Sequence, residues 1–414
     1  MSQKPLHEDW VAVIVAFITI GVICFGIQPL LPQIPTWGSA DALFKNLGNI
    51  TLWQGVGVLF VWVFASLVIA RLINRQTKIV QLIPSLLAII TITLIAQIIA
   101  GNKVIKDFGV EVVLFSLILG LLISNLIGVP EWMKPAIQTE LYIKIGLVLL
   151  GASVLFKVIL SAGALGIIQS VAVVFTVWYF SFWLCKKLGL DDEFRMMISS
   201  AVSICGVSAA IATSGAIEGD NKKLSHVISL VLIVAIPMML FMPYIAIWMH
   251  MSPAVAGAWL GGTIDTSGAV VAAGTMLGDE ALQYATLVKF SQNVLLGLAA
   301  FFISLYWSYS KKKANYEKPT LRTIWERFPK FVLGFVVASL LFSFALPTDL
   351  VATVKGSLKD LQTYWFALAF TCIGLETRFT DIFKMENGRP ALAFIIAQVF
   401  NIFFTLAVAY LVFG

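Results

Sequence analysis

Charged side chains are scarce in this chain of 414 residues, since Lys, Arg, Asp and Glu together make up 12%. Soluble globular domains carry about 25% charged residues, so the composition excludes an ordinary soluble protein. Four cysteines and three histidines are present. There is no CxxC pair and no HExxH, GxSxG or phosphate-loop motif. These absences argue against a disulfide framework, a metal centre and an enzyme, so we expect no cofactor and no catalysis.

Apolar runs are what the sequence does contain, because 59% of its residues are hydrophobic. Runs of about 20 apolar residues predict membrane-spanning helices. We therefore predict an all-α polytopic membrane protein with one transmembrane transporter domain over 1–414. Eleven spans are expected, at 10–32, 52–74, 80–100, 108–129, 139–156, 163–185, 224–249, 281–308, 328–347, 360–380 and 391–413.

Two segments of small and polar residues, 203–215 and 263–274, interrupt the apolar sequence and resemble each other. Shifted by 60 positions, Ile204 falls on Ile264 and Ala209 on Ala269. In a bilayer, a broken helix is tolerated only where protein buries it or where it lines a cavity. Paired broken helices are a sequence indication of a transporter's substrate site. The alternative is that these small residues only allow close helix packing.

A helix that begins inside the membrane exposes free amides and the positive end of its dipole, which favour an anion. Ser208 and Ser267 are good N-cap residues beside Gly206 and Gly268. We therefore expect an anion between the two helix starts. The predicted substrate-binding residues are Ser203, Cys205, Gly206, Ser208, Thr213, Thr263, Thr266, Ser267 and Gly268.

Three charged residues are predicted to couple transport to H⁺ or Na⁺. Asp265 lies in the second break, and a carboxylate at bilayer depth usually faces a cavity or a partner. Lys289 lies one or two turns into the following span, where it pairs with Asp265, neutralises an anion or extends to the interface. Lys144, four residues after Glu140, either reaches the cavity or extends likewise.

Basic residues are concentrated in loops, which accounts for the net charge of +6 and argues against nucleic-acid binding. With the basic connector 310–330 in the cytoplasm, the positive-inside rule places the N-terminus there too. Lys222 and Lys223 are also cytoplasmic if both broken segments re-enter, and external if both cross. The charges thus favour re-entry from opposite sides. Leu150–Phe156 resembles Ile373–Phe379 on a helix predicted to run the opposite way, which indicates inverted repeats.

Four pieces of the chain resemble the YeiH-type (UPF0324) family of bacterial inner-membrane proteins, which are labelled sulfate exporters. They are spread over most of the chain after residue 108; the spans in 1–107 precede them. They are Ile143–Gly151, Ser203–Ala209, Val270–Gly274 with Val288–Lys289, and Gly374–Phe379. The resemblance implies a relation to the cation/proton antiporter and bile-acid symporter superfamily. In that superfamily the broken helices cross the membrane fully, contrary to the charge pattern.

The leading hypothesis is a secondary transporter in the bacterial inner membrane that exports a sulfate- or sulfonate-like anion, coupled to H⁺ or Na⁺. A cation/proton antiporter centred on Asp265 and an anion channel stay open. Gly257 and Gly261 form a small-residue pair that suits helix contacts within one protomer or in a homodimer.

Overall fold

The structure, a computed structural model, describes residues 6–75, 78–107, 112–311, 321–378 and 388–414. These residues fold into helices that divide into two units. The first unit comprises Met1–Phe156 and Lys330–Arg378, and the second comprises Lys157–Pro329 and Phe379–Gly414. The prediction of a single transporter domain is not tested by this division.

The first unit contains α1 (Glu8–Cys24), α2 (Ala40–Leu47), α3 (Ile50–Ile73), α4 (Leu82–Ala100), α5 (Lys103–Asp107), α6 (Val112–Leu122), α7 (Thr139–Gly151), α16 (Lys330–Leu340) and α17 (Thr348–Glu376). The second contains α8 (Phe156–Lys187), α9 (Asp192–Ser200), α10 (Val207–Ile217), α11 (Asn221–Trp248), α12 (Pro253–Thr263), α13 (Ser267–Met276), α14 (Asp279–Lys311), α15 (Leu321–Arg327) and α18 (Arg389–Phe413). π-helical turns extend α6, α9 and α16, and a 3₁₀ helix (Glu131–Ala136) precedes α7.

The prediction of an all-α membrane protein is confirmed, because six of the described helices are long and apolar enough to cross a bilayer: α3, α4, α8, α11, α14 and α18. Each predicted span overlaps a helix, although the count of eleven spans stays a prediction. The first span is wrong beyond Cys24, since Gly26 has a φ of 94° and Pro29 and Pro32 follow. Part of the basic connector, residues 312–320, lies outside the described residues.

In the first unit, α7 and α17 run antiparallel, as predicted for the two similar glycine-containing segments. The Thr139 hydroxyl at the start of α7 donates to the Glu376 carboxylate at the end of α17, at 2.8 Å. Further along, the rings of Tyr142 and Trp365 lie 5.5 Å apart, and Phe366 packs over Gly146. Phe379, the last residue of the similar segment, lies outside the described residues.

The first broken segment of the second unit is a hairpin and does not cross the unit. It runs through α9, the π-helical turn Ala201–Cys205, Gly206 and α10. After α10 the chain returns to the start of α9, where the Asp220 amide donates to the Glu193 carboxylate at 3.2 Å. The Lys223 ammonium also lies 2.9 Å from an Asp191 carboxylate oxygen. Both ends of this hairpin therefore lie together.

The second broken segment, α12 and α13, is also a hairpin, as its contacts with α14 show. Along α12, Gly257 packs against Ala285 and Gly262 O accepts from Gln292, so α12 runs parallel to α14. Along α13, Ser267 accepts from Asn293 and Gly274 packs against Leu282, so α13 runs antiparallel to α14. The small-residue contacts of Gly257 and Gly261 are thus made within one chain.

The two hairpins begin at opposite ends of α11. That helix starts at the base of the first hairpin, and the second hairpin begins at Pro253, five residues after the helix ends at Trp248. Its 28 residues correspond to about 42 Å, enough to cross a bilayer. Both broken segments are thus hairpins, the form that the charge pattern favours, whereas the family relation implies broken helices that cross fully. Re-entry into the membrane from two sides stays a prediction.

Candidate functional site

The hairpins meet at their tips, where Gly206 lies against Asp265. Gly206 has φ 50° and ψ −109°, a conformation that L side chains rarely adopt. A Cβ atom at this position would lie 3.0 Å from Asp265 O and 2.6 Å from Val231 Cγ1. Val231 is ten residues, or about 15 Å, into α11. The contact of the two breaks is therefore near the middle of a membrane-length helix.

At the first tip, α10 begins without a side-chain cap. Gly206 occupies the N-cap position, and Ser208 is the second residue of the helix with an exposed side chain. The Ser203 hydroxyl donates to Ser199 O at 2.6 Å, within its own helix. Cys205 is buried in the π-helical turn, and Thr213 is buried on α10, about two turns beyond the break. Ser208 is thus the predicted hydroxyl that is accessible at this tip.

At the second tip, Thr266 is the N-cap of α13, and its Oγ1 accepts from the Ala269 amide at 3.2 Å. Ser267 is half-buried, and its Oγ accepts from Asn293 Nδ2 at 3.1 Å. Gly268 is buried in the first turn. The prediction that Ser208 and Ser267 are the N-caps is wrong, because each break ends one or two residues earlier.

Asp265 and Lys289 are both buried at the tips, with 1% and 2% of their surface exposed. The Lys289 ammonium donates to Ile204 O at the end of the π-helical turn and to Gln292 Oε1, both at 2.9 Å. Neither carboxylate oxygen of Asp265 has a hydrogen-bond partner among the described residues. Lys289 thus reaches the first break and is not hydrogen-bonded to Asp265, while burial argues against extension of its ammonium to the interface.

Amide side chains on α14 and α18 donate hydrogen bonds to the carbonyl ends of the broken helices. None of these amides was among the predicted site residues. Gln292 donates to Gly262 O and Gln398 to Thr263 O, each at 2.9 Å. Asn401 donates to Val202 O at 3.1 Å and to Thr263 O at 3.3 Å. The available signal was the presence of amides within apolar spans, where polar groups are costly unless they bond a partner.

Lys144 belongs to the first unit. Its ammonium lies 3.0 Å from Asp9, 3.1 Å from Glu8 and 3.6 Å from Glu140, so the predicted local pair with Glu140 is present. Glu8 and Asp9 are in the first turn of α1. These ion pairs connect α7 to α1, and a coupling role for Lys144 stays a prediction.

The tips present amide donors where α10 and α13 begin and carbonyl acceptors where their partner segments end. The first amides of a helix have no partner within it, and each helix start carries about half a positive charge. Lys289 and the amides of Gln292, Gln398 and Asn401 occupy carbonyl ends. The helix starts beside Ser208 and Ser267 therefore suit an anion, and the carbonyl ends suit a cation.

Comparison with known proteins gives the family. The family model described as "Conserved hypothetical protein 698" matches residues 84–393. The chain belongs to this family. It is 39% identical to a UPF0324 membrane protein of Rhodopirellula baltica over 399 residues, which cover 94% of this chain and 72% of that protein. It is 38% identical to a UPF0324 membrane protein of Nitratidesulfovibrio vulgaris over 339 residues, covering 79% of this chain and 58% of the relative.

These relatives confirm the resemblance to UPF0324 membrane proteins, and their names assign no substrate. The chain thus spans less than two thirds of the length of the Nitratidesulfovibrio relative. A more distant relative from Pseudomonas putida is 29% identical over 301 residues, covering 71% of this chain and 83% of its own length. No solved structure matches the chain. The family membership therefore identifies a membrane protein, and its activity has to be argued from the site.

Proposed function

We propose that this chain is a secondary active transporter that exports a small anion, of the sulfate or sulfonate class, across the bacterial inner membrane. The observation that carries the proposal is the contact of two re-entrant hairpins at their tips, Gly206 against Asp265. This contact brings the starts of α10 and α13 close together at a depth where water is otherwise excluded. Two helix starts facing one ligand favour an anion without a basic side chain.

The charges at the tips support coupling to a cation, H⁺ or Na⁺. A charged Asp265 contacts Gly206, directly before the amides of α10, so it would compete with a substrate anion for that helix start. Neutralising the carboxylate adds one net positive charge to the site. Lys289, which donates to Ile204 O, places a positive charge at the first break when it is protonated. Cation binding at Asp265 is therefore expected to favour anion binding.

In the proposed orientation, the basic residues at the base of the first hairpin face the cytoplasm, as does the N-terminus. The first hairpin then enters from the cytoplasm and the second from outside. Substrate would reach the tips alternately from the two sides. The proposal makes the chain a carrier without a cofactor and without catalytic activity.

Exchange in proteoliposomes tests this function. Vesicles containing the purified protein are loaded with unlabelled sulfate or a sulfonate, and entry of the labelled anion is followed. We expect trans-stimulated uptake, with a loss of about tenfold in Ser208→Ala and Ser267→Ala, since each loses a hydroxyl contact worth about 1–1.5 kcal/mol. Ser161→Ala on α8 is the matched control, because that exposed hydroxyl bonds only within its own helix.

Three results would contradict the proposal. Flux without trans-stimulation or uphill movement indicates an anion channel. Exchange of Na⁺ for H⁺ that is indifferent to all anions indicates a cation/proton antiporter centred on Asp265. Equal exchange in wild type and in both tip variants would show that Ser208 and Ser267 do not bind the anion.

A further inference from the structure

Four side-chain oxygens at the second break have no hydrogen-bond partner within the described part of the chain. They are Thr263 Oγ1, both carboxylate oxygens of Asp265, and Gln398 Oε1. The three side chains expose only 1%, 1% and 2% of their surface. Buried polar groups are normally hydrogen-bonded, and an ionised carboxylate buried without a partner is especially costly. This cluster of buried oxygens without partners therefore requires a physical reason.

These oxygens belong to one turn of the molecule. Thr263 is the last residue of α12, and Ile264 is extended, with φ −72° and ψ 131°. Only Ile264 separates Thr263 from Asp265, so both side chains leave the backbone at this turn. Gln398 donates its Nε2 to Thr263 O at 2.9 Å, which places its amide oxygen at this turn as well.

At the first break, a cation of the protein itself binds the carbonyl end of the broken helix. There the Lys289 ammonium donates to Ile204 O, at the carbonyl end of the π-helical turn. The 60-residue shift between the two breaks aligns Ile204 with Ile264 and Cys205 with Asp265. At the second break the aligned residue is a carboxylate. The charge of Lys289 and the side chain of Gln398 act on it, but no ammonium lies within hydrogen-bond distance of it among the described residues. Carbonyl ends of half-helices and unwound segments are where transporters coordinate cations.

We infer that Asp265, Thr263 and Gln398 form a binding site for a small monovalent cation with the chemistry of Na⁺. Oxygen ligands suit a hard cation, and one carboxylate matches a single positive charge. A divalent ion usually takes more carboxylates, and the described residues contain no group of three or more His, Cys, Asp or Glu side chains that could hold a metal ion. A proton on Asp265 would bridge at most two of these oxygens, whereas Na⁺ takes several oxygen ligands at once, so Na⁺ fits the whole cluster better.

The inference rests on the proposed function only where it assigns this ion to coupling. Na⁺ at Asp265 neutralises the carboxylate that lies against Gly206 at the start of α10. The anion then no longer competes with a negative charge for that helix start. Because binding linkage is reciprocal, the factor by which Na⁺ raises anion affinity equals the factor by which the anion raises Na⁺ affinity.

Thermal unfolding of the full-length protein in detergent tests the site. Melting temperatures are compared in NaCl, KCl and choline chloride at one chloride concentration, each with and without choline sulfate. A ligand that binds the native state raises the melting temperature by mass action. We expect saturable stabilisation by Na⁺ that is not reproduced by K⁺ or choline, and a larger Na⁺ effect in sulfate.

Three variants locate the effect. Asp265→Asn should abolish the Na⁺ response, and Thr263→Val, which keeps the side-chain shape, should lower Na⁺ affinity by about tenfold or more. Ser181→Ala on α8 is the control, since it removes another fully buried hydroxyl without a partner among the described residues of the same unit. If Asp265→Asn does not fold, Thr263→Val alone decides.

Absence of a Na⁺ effect in the wild type overturns the site, as does an undiminished effect in both Asp265→Asn and Thr263→Val. If low pH stabilises the protein in place of Na⁺, the site binds a proton and the Na⁺ site is overturned. Sulfate stabilisation without any Na⁺ response overturns the cation site and leaves the proposed anion transport intact. A Na⁺ response without any anion response supports the cation site and contradicts the proposed function.

Discussion

Replacing Gly206 by alanine tests the contact of the hairpin tips. The backbone at φ 50° and ψ −109° is strained for any residue with a Cβ, at a cost of about 1–3 kcal/mol. The new methyl group would also lie 2.6 Å from Val231 Cγ1 and 3.1 Å from Asp265 Cβ. Since Val231 is β-branched and stiff, relief of this overlap costs about 1–3 kcal/mol more. We expect a loss of about 2–6 kcal/mol of unfolding free energy, together with weaker anion binding.

Substitutions at two other glycines separate the cost of backbone strain from the cost of steric overlap. Gly278 has φ 98°, and a methyl group added there would meet no atom of the described residues within 4 Å, so Gly278→Ala should cost only the backbone strain, about 1–2 kcal/mol. Gly163 lies inside α8 in open space, and Gly163→Ala should stabilise by about 0.5–1 kcal/mol. Denaturant titration in mixed micelles gives the three free energies. If Gly206→Ala unfolds no more readily than Gly278→Ala, the close approach of the tips is refuted.

Three further changes address single interactions. Lys289→Gln should cost about 1–3 kcal/mol of unfolding free energy and weaken sulfate binding, because a buried carbonyl at the first break loses its charged donor; unchanged melting and binding would contradict this. Asn293→Asp should lower sulfate affinity more than Asn293→Ala, since it puts a negative charge beside Ser267, and equal affinities in titration calorimetry would remove this residue from the site. Burial acts to raise the pKa of Asp191, but hydrogen bonds from Lys223 and backbone amides outweigh it and hold the pKa below its ordinary value. The stability from this carboxylate is therefore present above its unfolded pKa and lost as pH falls through the lower folded value, so acid should raise amide exchange in the first hairpin of wild type more than in Asp191→Asn.

The sequence predicted the helices and the two breaks because hydropathy and loop charges depend on local composition. Lys222 and Lys223, placed by the positive-inside rule, indicated hairpins from charge alone. The first span was predicted too long because Ile27, Leu30 and Leu31 continue the apolar run, although Gly26 ends the helix. Apolar composition alone does not define where a helix ends.

The details of the site could not be predicted in the same way. Gln398 and Asn401 lie more than 120 residues from the carbonyls that they bond at the second break, and an amide in an apolar helix does not reveal its partner. Lys289 and Asp265 were expected to pair by opposite charge. Lys289 instead bonds Ile204 O, because the carbonyl end of a half-helix offers a competing negative dipole.

Direct binding of labelled sulfate to the purified protein tests the central claim, that the two helix starts at the hairpin tips hold an anion. Wild type is compared with Ser208→Ala, Ser267→Ala and the control Ser161→Ala, in Na⁺ and in choline. We predict saturable sulfate binding in wild type and Ser161→Ala, about tenfold weaker binding in each tip variant, and tighter binding in Na⁺. Sulfate binding that is identical in all four proteins, or absent from the wild type in both salts, would contradict the account.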